Sequence, residues 1–256
     1  MKEQTKYILR KIDDYMIFCI FATKIKNIMD ITTISYHGKL RHGEEQMFRG
    51  AFLKMMGEDA PLLFHNHIGG GLRYSYPLIQ YKVLDACPAI VGIGDVGKSL
   101  MDLPKQCQLL IGDQPREYQL GKMSIEPYEP EISGEPKMYA ITRYIPLNTA
   151  NMEEFDSLPA LTDRICFLEN IINANFLAFF KGIDYHCSGE IHTAISSIDK
   201  RYDLYYKGVK FYGFDLRIIT NVVIPDNVGL GKSSSVGFGI VRRIPIPATY
   251  NKYKLR

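Results

Sequence analysis

In the segment IPDNVGLGKSSSVGFGIVRR, Gly229, Gly231, Gly237 and Gly239 bracket Lys232, Ser233, Ser234 and Ser235, with Arg242 and Arg243 just beyond. Glycine admits backbone dihedrals closed to other residues and lets another chain approach its N–H groups. Successive N–H groups in such a turn form a concavity for anions. Serine hydroxyls and a lysine on that frame suit a phosphodiester backbone better than a mononucleotide. The same glycines would also serve a tight turn packing two strands. Two nucleotide motifs are excluded. A Walker loop needs glycine five residues before the GKS glycine, where this chain has Asp226. Gly92, Gly94 and Gly97 do spell GxGxxG after a strand, but the helix that follows stops at Pro104, too short for a dinucleotide crossover.

Histidine can give or take a proton near neutral pH, and six are present. His65 and His67 are separated by one residue. They would supply two zinc ligands with no third at a convincing spacing, so no metal site is expected. His37 and His42 flank the first predicted strand near Arg41 and form a competing pair; His186 and His192 read as loop and strand-face residues.

Several elements must position these groups. Asp30–Leu40 alternates like a strand, and Glu44–Met56 carries Met47, Phe48, Ala51, Phe52, Met55 and Met56 at helical spacing before Gly57. Tyr74–Leu84 and Pro88–Ile93 read as strands joined at Asp85, followed by a short helix over Val96–Leu103 and a strand over Gln106–Ile111. This β-α-β-β-α-β order is that of a ferredoxin-like domain. The acidic, proline-rich stretch Glu126–Pro136 marks a boundary. Beyond it come a strand over Lys137–Leu147, an amphipathic helix over Leu158–Lys181, a strand over Glu190–Ile198 and a bent strand over Leu204–Val223. The expected fold is α+β: two tandem ferredoxin-like (RRM-like) domains, residues 29–130 and 131–256, each an antiparallel sheet with helices on one face. The second carries the glycine-rich loop. Tyr202, Tyr205, Tyr206, Phe211 and Tyr212, interleaved with Lys207 and Lys210, resemble an RNA-binding sheet but also suit a core. Lys207 and Lys210 are its better phosphate contacts.

Residues 1–28 form a separate extension. Lys2, Lys6, Arg10 and Lys11 precede the apolar run Tyr15–Ala22, but Asp13 and Asp14 interrupt them and no small-residue cleavage site follows. Eight apolar residues are too few to span a bilayer. The expectation is an amphipathic helix from about Gln4 to Ile28, with a translation start at Met29 as the alternative. Five cysteines without a CxxC pair argue that most are buried thiols in a reducing cytoplasm. The net charge of +3 is uneven: from Lys200 onward six Lys and five Arg stand against three Asp, a net +8, leaving −5 for the rest. A basic end suits a polyanionic partner or a solvated surface equally.

The segment GLGKSSSVGFG, preceded by TNVVIPDN, resembles the C-terminal signature of the sixth CRISPR-associated protein family, the repeat-processing endoribonucleases of the RAMP superfamily. MFRGAF (Met47–Phe52), FHNH (Phe64–His67), YPLIQYK (Tyr76–Lys82) and YIPLNTANMEEF (Tyr144–Phe155) resemble the same family, from about Met29 to Val241. Val236 departs from a position that is often basic in the family. The resemblance implies tandem ferredoxin-like domains and metal-independent, cofactor-free cleavage of CRISPR repeat RNA on the 3′ side of a small hairpin. The implied product ends are a 2′,3′-cyclic phosphate and a 5′ hydroxyl. It further implies guide production for an effector complex by a cytoplasmic, non-membrane monomer or homodimer. The 2′ oxygen attacks phosphorus and the 5′ oxygen leaves, which calls for a base, an acid and a cation. His67 and then His65 are the expected acid–base residues, close to where the family's catalytic histidine lies. Lys54 and Arg73 are candidate cations, and Tyr74 would orient the attacking hydroxyl. The alternative is a non-catalytic RAMP-type RNA-binding subunit, with the histidines structural.

Overall fold

A computed structural model of the chain describes residues 28–57, 67–68, 71–72, 76–206 and 208–247. The expected N-terminal helix therefore lies outside the described residues. β1 (Met29–His37) leads to α1 (Glu45–Met56), and a two-residue hairpin, β2 (His67–Ile68) and β3 (Gly71–Leu72), follows. β4 (Ile79–Leu84), β5 (Cys87–Ile93), a 3-10 helix (Gly94–Asp102), β6 (Gln106–Ile111) and β7 (Gln114–Tyr128) complete the first half. The second half runs β8 (Glu131–Tyr144), α2 (Thr149–Ser157), α3 (Leu161–Gly182), β9 (Thr193–Tyr206), β10 (Val209–Val223) and β11 (Ile240–Ile244).

The first sheet has the order β4-β5-β1-β7-β6 and the second β11-β8-β10-β9, every pair antiparallel. Each contains the ferredoxin-like order, with the last strand beside the first. Three details differ from the sequence reading. The strand beside β1 is β7, not Gln106–Ile111, which is an added edge strand paired to the first half of β7. The proline-rich stretch is mostly strand: β7 and β8 run into it from both sides, and Pro127 pairs opposite Asp30 where β6 no longer covers that edge. Proline is tolerated on a free edge because no ladder N–H is missed there. Finally, Leu204–Val223 is not one bent strand but the end of β9, a turn at Gly208 and β10.

Alternation along the strands sorts side chains to two cores. Ile34, Tyr36 and Ile90 face α1, which buries Phe48 and Phe52 and leaves Met47 and Met55 exposed. Ile31, Val91, Ile93 and Tyr128 face the other way and join the second domain's core of Leu168, Ile172, Phe176 and Phe179 from α3. The ring of Tyr76 meets Phe179 edge-on at 5.0 Å. One apolar core thus bridges the two domains. Gly92 and Gly97 of the GxGxxG motif pack against each other and Thr32, as in a plain strand-to-helix turn. Of the four described cysteines, all free, only Cys107 is buried, so the expectation of buried thiols fails for Cys87, Cys166 and Cys187. Among the described residues no helix is long and apolar enough to cross a membrane.

Candidate functional site: a glycine-rich loop clamped between two domains

Where a full ferredoxin repeat would place its second helix, the chain from Ile224 to Gly239 forms a loop between β10 and β11. It contains two hydrophobic anchors, Val228 and Leu230, both fully buried. The loop was expected to offer flexible amides to an anion; instead many are already bonded within the protein. The N–H groups of Leu230 and Val236 donate to Gly239 O and Ser233 O, that of Lys232 to Ile145 O, and that of Gly239 to Arg143 O. Gly229 N donates to Gln80 Oε1 at 2.8 Å. These amides cannot also grip phosphate without the loop opening.

The loop rests on β4, so the glycine-rich segment and YPLIQYK touch each other. Tyr76 Oη donates to Gly229 O at 2.7 Å, Tyr81 N to Ser235 O at 2.8 Å, and Lys82 Nζ to Ser234 O at 2.7 Å. Tyr81 and Val236 form a parallel bridge. The glycines make room for these partners: a Cβ on Gly229 would meet Lys82 Nζ, and one on Gly237 would overlap the Glu45 carboxylate.

Beneath the loop lies an ionic cluster built around the buried Glu45. Arg143, at the end of β8, pairs its Nη1 with Glu45 Oε1 and donates to Gly237 O at 3.2 Å, and its guanidinium stacks 4.4 Å from the Phe238 ring centroid. His42 Nδ1 lies 3.2 Å from Glu45 and 3.1 Å from Arg143. Burial alone would raise the Glu45 carboxyl, but the His42 hydrogen bond and the Arg143 charge outweigh it and hold it below the usual carboxylate range. Next to it, Glu44 accepts both arms of the Arg116 guanidinium at 2.8 Å, which lowers its carboxyl to about 2. Both ion pairs fasten the N-terminal end of α1.

Lys82 is fully buried, and that burial brings its ammonium down to about 7, against the pull of Glu45. The unfolded chain keeps this proton up to about 10.5, so between those values it holds more protons than the folded protein and stability rises with pH. Urea unfolding should show roughly 2 kcal/mol of added stability from pH 7 to pH 9 from this group. Lys82→Met should flatten that slope; an unchanged slope would show that Lys82 is not its source.

The residues expected to bind RNA separate by exposure. Lys232, Lys210, Arg242 and Arg243 are exposed, Gly231, Ser233 and Ser235 are half-buried, and Gly229, Ser234, Gly237 and Gly239 are buried. Burial removes that last group from direct contact with a ligand on this surface. Lys232 Nζ stands 4.7 Å from the Phe211 ring centroid, and Lys210 pairs with Asp203 at 2.8 Å. As neighbours on β11, Arg242 and Arg243 point to opposite sides. Arg242 lines an open cavity of about 370 Å³ with Ser35, His37, Lys122 and Asp226, whereas Arg243 lines another with Lys137. Phe211 and Tyr212 belong to the core, while Tyr205 is 74% exposed. Lys54 is exposed in the last turn of α1, where a cation suits the helix dipole. The His67 backbone pairs opposite Leu72. Its side chain, together with His65, Arg73, Tyr74 and Lys207, lies outside the described residues. Sequence reasoning missed Glu45, Gln80, Lys82 and Arg143. The one available signal was a lysine within an apolar β4.

Two ferredoxin-like sheets joined by a shared core and a clamped glycine-rich loop define a double-ferredoxin protein. A solved structure of Cas6b superimposes with a TM-score of 0.74 at 25% identity, covering 85% of this chain and all of that one. A second, a CRISPR RNA processing endoribonuclease Cas6b, gives 0.65 at 23% identity with the same coverage. An uncharacterized protein of Methanocaldococcus jannaschii is 32% identical over 104 residues, 41% of this chain and 69% of its own length. The family models for the Cas6b N-terminal and C-terminal domains match residues 27–129 and 131–244, in that order. The chain belongs to the Cas6b family, a branch of the sixth CRISPR-associated family that the glycine-loop resemblance led one to expect.

Proposed function

We propose that this protein is an endoribonuclease that cuts CRISPR repeat RNA into guide RNAs by attack of a ribose 2′ oxygen on the adjacent phosphorus. The observation that carries this reading is the ordered match of both Cas6b domains. A superimposable relative is itself described as a CRISPR RNA processing endoribonuclease.

In this reading a histidine takes the 2′ proton as the O–P bond forms. The phosphorane's added charge is met by a cation, and an acid returns a proton to the departing 5′ oxygen. The products are a 2′,3′-cyclic phosphate and a 5′ hydroxyl, with no redox change and no metal in the balance. His67 is the first choice for the proton transfers and His65 the second. Lys54, in the α1 turn that precedes their segment, is the cation, and Tyr74 orients the attacking hydroxyl. Lys232 and Arg242 supply exposed phosphate contacts at the junction, the buried glycines shape the loop that presents Lys232, and Arg243, Lys207 and Lys210 extend the basic surface. The protein would deliver its product to a CRISPR effector complex.

Purified protein should cleave a hairpin repeat RNA in EDTA and leave uncut the same RNA with a 2′-deoxy nucleotide at the scissile position. Loss of cutting in EDTA, or cutting of the deoxy substrate, refutes the mechanism. Tight binding without cutting would instead mark a non-catalytic subunit.

A further inference from the structure

We infer that Glu45 and Arg143 are positioning residues for cleavage: their buried pair fastens the glycine-rich loop to the helix that carries Lys54 and leads into the His65–His67 segment. The inference rests on the cleavage reading above and adds residues that do not themselves touch the reacting atoms.

Glu45 is in the first turn of α1 and 1% exposed. Arg143 occupies the left-handed region at φ 53°, a conformation that persists only where surroundings over-determine it. Those surroundings are on both sides: its N–H donates to Asp215 Oδ1 at 2.7 Å and its carbonyl accepts from Gly239 N at 3.0 Å. From that fixed backbone the guanidinium reaches Gly237 O, Phe238 and Glu45 together. Gly237, at φ 83°, leaves open the space that the carboxylate fills. One side chain therefore ties the loop to the opposite domain.

A buried ion pair is a weak source of stability, because desolvating both charges offsets most of their attraction. What it supplies here is geometry, since one planar guanidinium must meet Glu45, Gly237 and Phe238 at once. The link joins two parts the reaction needs in register. The loop presents Lys232 to the RNA, and α1, about 18 Å long, carries both Glu45 and Lys54, with the His65–His67 segment following it in the sequence. A shift of the loop against α1 would move the RNA relative to the acid–base groups.

The test uses full-length Glu45→Gln and Arg143→Lys, with Leu168→Ala, in the distant α3 core, as a control for lost stability alone. Single-turnover cleavage at saturating hairpin repeat RNA is measured beside affinity for the uncleavable 2′-deoxy RNA. Misplacement by an ångström can cost about a hundredfold in rate. Both junction variants are therefore expected to cut roughly 10–100 times more slowly while binding as wild type does, and folded Leu168→Ala to cut normally. Wild-type rates in either folded junction variant overturn the inference. So does a parallel loss of rate and affinity, or an equal slowing in Leu168→Ala, since each reduces the pair to a structural brace. If wild-type protein binds the RNA but cuts none, the cleavage reading falls and takes the positioning role with it.

Discussion

His67→Ala protein should bind hairpin repeat RNA as tightly as wild type and cleave it about 10²–10⁴ times more slowly. The size follows from what a positioned acid or base contributes once substrate is already bound. Phosphate contacts from Lys232 and Arg242 would hold the RNA in place, so affinity does not depend on an imidazole. β2 fixes the backbone of His67 opposite Leu72 in a two-residue hairpin, close in sequence to the end of α1. The matching His65→Ala variant should be impaired less, since His67 is the first choice for the proton transfers and His65 the second. Single-turnover rates for the two variants decide the order. Full activity in His67→Ala would remove it from the mechanism and shift attention to His65, then to His42 and His37.

A comparably large effect is expected from Gly239→Ala, this time on the fold. Gly239 sits at φ 64°, in the left-handed region, and a Cβ there would overlap the Leu230 carbonyl. Leu230 N donates to Gly239 O, and Gly239 N donates to Arg143 O, so the backbone cannot retreat without breaking both bonds. Strain and clash together should cost at least ~3 kcal/mol, or about 6–12 °C in Tm for a chain of this size. Gly134→Ala, where nothing lies within 4 Å of the added carbon, is the control and should melt close to wild type. At a temperature where the variant is still folded, RNA affinity should fall, because the loop that presents Lys232 is displaced. Unchanged affinity in the folded Gly239→Ala protein would show that the loop does not hold RNA.

Much of the architecture was legible in local pattern. The 3.6-residue spacing of Phe48 and Phe52, or of Leu168, Ile172, Phe176 and Phe179, states which helix face is buried. Alternation in β1 does the same for that strand, and the turn at Asp85 separates β4 from β5. The glycines and basic residues from Gly229 to Arg243 marked a special segment, and their type and order were enough to suggest the family. Local pattern names a buried face but not what covers it, and there the sequence reading stopped. That β7 rather than β6 neighbours β1 depends on sheet register. That Arg242 and Arg243 serve different cavities depends on which strand flanks β11. The glycines' role changed most: they read as freedom for a ligand, yet the fold uses Gly229 and Gly237 to admit Lys82 and Glu45. Those partners stand far away in the chain, Glu45 from Arg143 by 98 positions and Lys82 from Ser234 by 152. Such contacts arise only when two sheets, each specified locally, are docked through a common core, and buried charge can be placed only once both its walls exist.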